Sequence, residues 1–416
     1  MRIILVLVSS YMALFGLSIT ESIDLALNNS PKVLISKSNV KSNEHVKDEA
    51  TGAYHPTLEA GFAWSEVDNP TAYTFTPSHN YSVSLKYNLF NGFSDYSTVS
   101  SKESEVESAK LENRAVISDL KLEVIVSYTN YLKAKKLIKS QEEQLASLTK
   151  QYDDTNVRYE QGIVAKNDLL LIDVEKLKSE QALIKAKSDL IVAKSNLENI
   201  IAVSISASDT IDDFDASVSE VEDAAVLEAQ MMQNRSEIKA ITFKRKSLES
   251  QRDAITGNYL PKVDLSTSYQ VNDREISEGS TIYQAKEQTT YGFNVTWNLY
   301  SGMKNIAIKK ALLEKNNQEN YKLNQLRLDL KNQLSQAYES LKVAKSAKYV
   351  ASRSKESAKE NYRITADRYS QGDVDTLTLL VSQSNLTQAV NANNDAYYDL
   401  YVAYKTLQRI VFEGAE

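Results

Sequence analysis

The sequence has no cysteine, three histidines, 11 glycines and 5 prolines in 416 residues. Without cysteine there are no disulfides, thiolate metal sites or thiol nucleophiles, and no lipid can be attached to an N-terminal cysteine. His45, His55 and His79 leave little for histidine catalysis. Glycine and proline together make up about 4 % of the chain, against roughly 12 % on average, so turns are few and elements long. A net charge of −7 gives no basic footprint, which excludes nucleic acid as a partner. Charged residues at 25 % and a mean hydropathy of −0.39 exclude a bundle of membrane-spanning helices, since that needs several apolar runs of about 20 residues. The 24 tyrosines argue against disorder.

No phosphate-cradling loop of the Gly-x4-Gly-Lys type, no Gly-x-Gly-x-x-Gly and no His-Glu-x-x-His occurs. The carboxylates fall on polar helix faces, the default for solvated charge. The expectation is a protein that is not an enzyme and holds no metal or cofactor.

At the N-terminus one cation, Arg2, precedes an apolar stretch to about Leu17, then the small residue Ser18 and polar sequence. This has the form of a secretory signal peptide, with an uncleaved anchor as the alternative. The mature chain is expected to begin between Ser18 and Glu21 and to work outside the cytoplasm.

The remainder is written twice. Tyr87-Asn-Leu-Phe-Asn-Gly92 returns as Trp297-Asn-Leu-Tyr-Ser-Gly302, and Arg158-Tyr-Glu-Gln-Gly162 as Arg368-Tyr-Ser-Gln-Gly372, both 210 residues on. Tyr54-His-Pro56 is echoed by Tyr259-Leu-Pro261. Between the halves, Asp209, Asp212, Asp213, Asp215, Glu220, Glu222 and Asp223 form an acidic stretch. The expected organisation is a signal peptide over 1–20, a first repeat over 21–205, an acidic linker over 206–225 and a second repeat over 226–416.

Each repeat carries two segments of period-two alternation, the mark of strands. They are Leu58 to Trp64, Tyr81 to Leu89, Val263 to Val271, and Tyr291 to Leu299. Near 10 residues each, they have the length of tilted membrane strands; taken alone they also fit a soluble sandwich with one dry face. A sandwich needs about seven strands and the smallest closed membrane barrel eight. Four strands hide neither an apolar face nor their edges, so several chains must pool them.

Ser94 to Gln161 and Met303 to Gln371 lack glycine and proline and space their apolar residues helically. Each would extend about 100 Å. Shorter helices return over Asp168 to Ile201 and Leu377 to Val411, and further helices are expected over Glu21 to Ala53 and Val221 to Thr256.

Duplication, strand pairs, long hairpins and the Asn-Leu-aromatic-x-Gly exits together resemble the TolC-like outer membrane efflux factor family. The resemblance covers essentially the whole mature chain. It implies a mainly α chain with a small β part, long helical hairpins forming an α-barrel, and four strands per chain given to a 12-stranded transmembrane β-barrel in a homotrimer. It implies an outer membrane channel reaching into the periplasm, in contact with outer membrane lipid. That channel would serve a tripartite efflux or type I secretion system through a periplasmic adaptor (a membrane fusion protein) and an inner-membrane pump of the resistance-nodulation-division or ABC type. The rival is a periplasmic coiled-coil spacer or adaptor without channel activity.

Gly92 and Gly302 stand where strand becomes helix, a place for a positive backbone angle; Gly162 and Gly372 are helix stops. By the resemblance, Gln161, Gly162, Ile163, Gln371, Gly372 and Asp373 are also the tips on which an adaptor docks. In the family a carboxylate six residues after the first tip glycine holds the second tip's tyrosine and shuts the channel. Asp168 and Tyr369 occupy those positions, although an N-cap alone would also explain Asp168. Val374, Thr378 and Val381 stand where the best-known pattern has an arginine and two aspartates, which leaves Asp373 and Asp375 as the nearest carboxylates for a gate.

Overall fold

The computed structural model describes residues 17–68, 77–205, 211–215, 217–274 and 286–412. Most of the expected signal, parts of the acidic stretch and the loops beyond the strands therefore lie outside the described residues. Among those described, eight α-helices and four strands follow one another in a repeated order: α1 (Ile19–Asn29), α2 (Pro31–Thr51), β1 (Thr57–Ser65), β2 (Ser78–Asn91), α3 (Ser94–Glu160), α4 (Lys166–Ile201), then α5 (Ala224–Asn234), α6 (Ser236–Gly257), β3 (Lys262–Arg274), β4 (Glu287–Thr296), α7 (Lys304–Gln371) and α8 (Thr376–Val411). The chain is mainly α with a small β part, and its second half repeats its first.

The sequence suggests one helix where two form, in both halves. Pro31 fits the first position of α2, where its missing N–H costs nothing, but its ring pushes Ser30 out of the helical region, and Ser30 is extended (φ −62°, ψ 125°). The matching break at Arg235 (φ −59°, ψ 120°) has no proline. It is held by side chains: the buried Arg235 guanidinium donates to the Arg409 carbonyl at 2.7 Å, and Arg409 in turn donates to Asp119 at 2.8 Å. A second difference lies at β4, which ends at Thr296, so Trp297 to Tyr300 are not strand. There the Trp297 indole N–H donates to the Tyr259 carbonyl at 3.0 Å.

The chain divides into two compact units. One comprises 17–36, 113–236 and 327–412 of the described residues. Its core is built on α3, where Leu120, Val124, Tyr128 and Leu132 recur every four residues and are buried against Ala26, Val33, Leu197, Ile201 and Tyr398. The acidic segment is strapped onto this core. Phe214 packs on Tyr128, Tyr398 and Tyr401, the Tyr128 hydroxyl donates to the carbonyls of Leu17 (2.9 Å) and Asp212 (2.6 Å), and the Tyr398 hydroxyl donates to Asp213 at 2.7 Å. Lys136 pairs with Asp213 at 2.6 Å. Burial works against that carboxylate, and the bonds from Lys136 and Tyr398 outweigh it, holding Asp213 below its ordinary range. Leu17 and Ser18, at the expected end of the signal, belong to this packing; Ser18 and Glu21 form a capping box on α1.

The other unit comprises 37–112 and 237–326 and holds the sheet. Its strands are antiparallel in the order β1-β2-β3-β4. In this register Phe62 stands opposite Tyr81 and Tyr81 opposite Val271, while Leu265 lies between Tyr87 and Phe293. The alternation read in the sequence thus becomes one continuous apolar face.

Candidate functional site

The sheet's two faces differ in chemistry, and on β2 the apolar side chains are exposed while most of the polar ones between them are half-buried. Leu58, Phe62, Trp64, Tyr81, Val83, Leu85, Tyr291, Phe293 and Val295 are all exposed, Tyr291 at 82 %. The opposite face is polar and bonded to itself: Asn80 donates to Asn272 at 2.7 Å and Asn88 to Asp264 at 3.2 Å, each pair in direct register, and Lys86 approaches Glu59 at 3.5 Å. An apolar face of this extent, left bare, marks contact with lipid or protein. The outer edges of β1 and β4 pair with no other strand among the described residues, a condition that soluble sheets avoid.

The turns that open the two long helices share one geometry. Gly92 and Gly302 have φ of +60° and +63°, and each is followed by a second positive angle, at Phe93 (+64°) and Met303 (+66°). Two left-handed residues in succession turn the chain sharply into the helix. In both turns the helix is then started by the same bond, Ser97 N–H to Phe93 C=O and Ala307 N–H to Met303 C=O, each at 3.1 Å.

The hairpin tips are also alike. Gly162 and Gly372 have φ of +73° and +83°. Ile163 N–H bonds to Arg158 C=O and Asp373 N–H to Arg368 C=O, both at 2.9 Å, closing the last turns of α3 and α7. Around both glycines there is open space, and Ile163 is exposed. The tips differ at the start of the returning helix. Asp375 caps α8, accepting from the Thr378 N–H at 2.8 Å, and that bonding lowers its pKa from the ordinary value. The N-cap of α4 is Ala165, with no side-chain bond, and Asp168 stands in the helix's first turn. Among the described residues the Asp168 carboxylate has no hydrogen bond or ion pair within the chain. Tyr369 has the Arg158 guanidinium over its ring, 5.9 Å from the centroid.

Away from the tips, Leu170, Leu177, Ile184 and Ile191 recur every seven residues along α4, and all are exposed. A heptad stripe is a helix-packing surface, and among the described residues nothing covers this one. The sequence alone does not single it out, because the same spacing also describes a buried core. Among the described residues no helix is long and apolar enough to cross a membrane, and no cluster of His, Asp and Glu is arranged to hold a metal ion.

The family model described as outer membrane efflux protein matches residues 22–203 and matches again over 227–411. The chain belongs to the outer membrane efflux protein family. Its two halves are two copies of the family's repeat. Three solved structures share the fold at low identity. CusC, studied for folding and transmembrane channel formation, is 15 % identical with a TM-score of 0.82, over 96 % of this chain and 93 % of CusC. The outer membrane channel CmeC of Campylobacter jejuni is 13 % identical with a TM-score of 0.80, over 95 % and 86 %. The open state of the outer membrane channel MtrE of Neisseria gonorrhoeae is 15 % identical with a TM-score of 0.78, over 94 % and 88 %. No curated protein sequence matches.

Proposed function

We propose that the protein is a homotrimeric outer membrane channel, the exit duct of a tripartite efflux or type I secretion system. The observation that carries this is the four-stranded sheet with a bare apolar face, a polar face bonded to itself, and two open edges. In lipid every backbone N–H and C=O must be bonded within the protein, and closure is the one arrangement that leaves no sheet edge. Three copies joined edge to edge give 12 strands. The apolar face then meets hydrocarbon and the Asn80, Asn88, Asp264 and Asn272 face meets water, as barrels require. The heptad stripe of α4 finds its partner in the neighbouring copies, whose hairpins complete an α-barrel conduit through the periplasm.

At the far end, the glycine tips with Gln161, Ile163, Gln371 and Asp373 form the docking surface for a periplasmic adaptor, which connects the duct to an inner-membrane pump of the resistance-nodulation-division or ABC type. Asp168, Tyr369, Asp373 and Asp375 gate this end. Three copies of each carboxylate around an axis create a negative potential that favours cations. The conduit is indifferent to cargo, so drug, metal-ion and protein export are equally compatible with it.

Single-channel recording in a planar bilayer tests the reading. The purified protein is expected to insert and to give small, cation-preferring steps, which Asp168→Ala and Tyr369→Phe enlarge. Parental steps in both variants would remove these two residues from the gate. A soluble protein that never inserts would replace the channel by a periplasmic spacer.

A further inference from the structure

Sequence and structure point to different places for the start of the exported chain. Cleavage of a leader favours small residues one and three positions before the bond that is cut. Gly16 and Ser18 meet that pattern for a cut after Ser18, at the near end of the range expected from the sequence. A cut after Gly16 has one small residue only, since Leu14 stands three positions before the bond.

A chain starting at Ile19 would lose groups that the fold uses. Leu17 is 6 % exposed and belongs to the core with Ala26, Tyr128, Leu197 and Ile211. It bridges Ile211 in parallel, and its carbonyl accepts from the Tyr128 hydroxyl at 2.9 Å and from the Asp212 N–H at 3.3 Å. The Ser18 hydroxyl caps α1 by accepting from the Glu21 N–H at 3.2 Å, and the Ser18 N–H donates to the Glu21 carboxylate at 2.8 Å. The Ser18 carbonyl accepts from the N–H (3.0 Å) and the hydroxyl (2.9 Å) of Ser22, which is fully buried. Removing Leu17 and Ser18 takes away the acceptors of Ser22 and of the Asp212 N–H, and buried donors are rarely left unbonded.

Charge favours an amino terminus at this point. The Tyr128 hydroxyl, beside the Leu17 carbonyl, is pushed up by burial first and then by the charges of Asp212, Asp213 and Glu21. Against these three carboxylates stand Lys136, 2.6 Å from Asp213, and Lys135, which donates to the Ile211 carbonyl at 3.2 Å. These five groups leave one negative charge over, and an α-ammonium supplies its opposite.

We propose that the leader is cut between Gly16 and Leu17, so that Leu17 is the first residue of the mature chain and its α-ammonium pairs with the acidic segment. Water adds across that peptide bond; the carboxylate leaves with the leader, and the amine stays on Leu17 and takes up a proton at neutral pH. Leu17 to Thr20, counted with the signal peptide in the sequence, then belong to the fold.

N-terminal sequencing and the intact mass of the full protein recovered after export test the cut. The expected start is Leu-Ser-Ile-Thr. Any other first residue, Ile19 above all, or an uncut chain overturns it. Ser18→Asn keeps a good N-cap and places a larger residue before the rival bond, so it is expected to be processed like the parent, again at Leu17; accumulation of its precursor overturns the proposal. Acylation of the α-amine at neutral pH is expected to run several-fold more slowly in the folded protein than in urea, because a paired ammonium holds its proton. Equal rates overturn the pairing.

Discussion

The turn at Gly92 and the turn at Gly302 have nearly the same backbone angles and the same helix-starting hydrogen bond, yet the first is buried under Gly257 and the second stands in the open. The local sequence accounts for the likeness, because glycine followed by a second left-handed residue makes the same exit in either half. The surroundings account for the difference. In a duplicated chain each surface has a twin, and here one twin is covered while its counterpart is bare. The heptad stripe of α4 follows the same rule: Leu170 is 49 % exposed, and its counterpart on α8, Leu380, is 7 % exposed.

The largest expected effect comes from placing one side chain on both turns. Gly92→Val drives a Cβ into the Gly257 carbonyl and is expected to abolish recovery of folded protein. Gly302→Val meets nothing in the chain and bears only the left-handed penalty, about 1–2 kcal/mol. Equal yields from the two variants would break the comparison. Next come α6 and its counterpart α2, where Ala240 is 2 % exposed and Ile35, at the matching position, 70 %. Ala240→Glu buries an unpaired carboxylate and is expected to cost on the order of 3 kcal/mol or more in urea unfolding followed by circular dichroism. Ile35→Glu is expected to leave the chain's stability within about 0.5 kcal/mol. A large loss of chain stability from Ile35→Glu would place that face inside the folded protomer.

The smallest effects concern the tips, alike in backbone and different in capping. Ala165→Asp, which supplies the cap that α4 lacks, is expected to stabilise that helix start by about 1 kcal/mol. Asp375→Ala is expected to lower hydrogen-exchange protection of the first turn of α8. Because the folded-state pKa of Asp375 is lowered, its contribution is complete above the ordinary carboxylate range and disappears as the pH falls through the folded value. Parent and Asp375→Ala should therefore differ at neutral pH and converge in acid; a difference that grows on acidification would contradict the cap.

Elements that announce themselves locally were legible in the sequence. Alternation marked all four strands, the lack of glycine and proline marked the long helices, and Gly162 and Gly372 marked the reversals. Pro31 signalled a break that the helical spacing on either side concealed. The break at Arg235 has no local signal, since it depends on a guanidinium bonded to Arg409, 174 residues away. The contacts that strap the acidic segment over α3 have no local signal for the same reason. The acidic segment has no lysine or arginine near it in sequence, yet Lys136 and the hydroxyls of Tyr128 and Tyr398 meet it in space. Asp168 shows the converse. Its type and spacing suggested a cap or a lock, whereas Ala165 takes the cap position and, among the described residues, the Asp168 carboxylate has no hydrogen bond or ion pair.

The most direct test of pooled strands is the native mass of the protein extracted in detergent. Closure of the sheet by identical copies predicts three chains per particle, with full helical signal. A particle containing one chain, folded and stable, would contradict it.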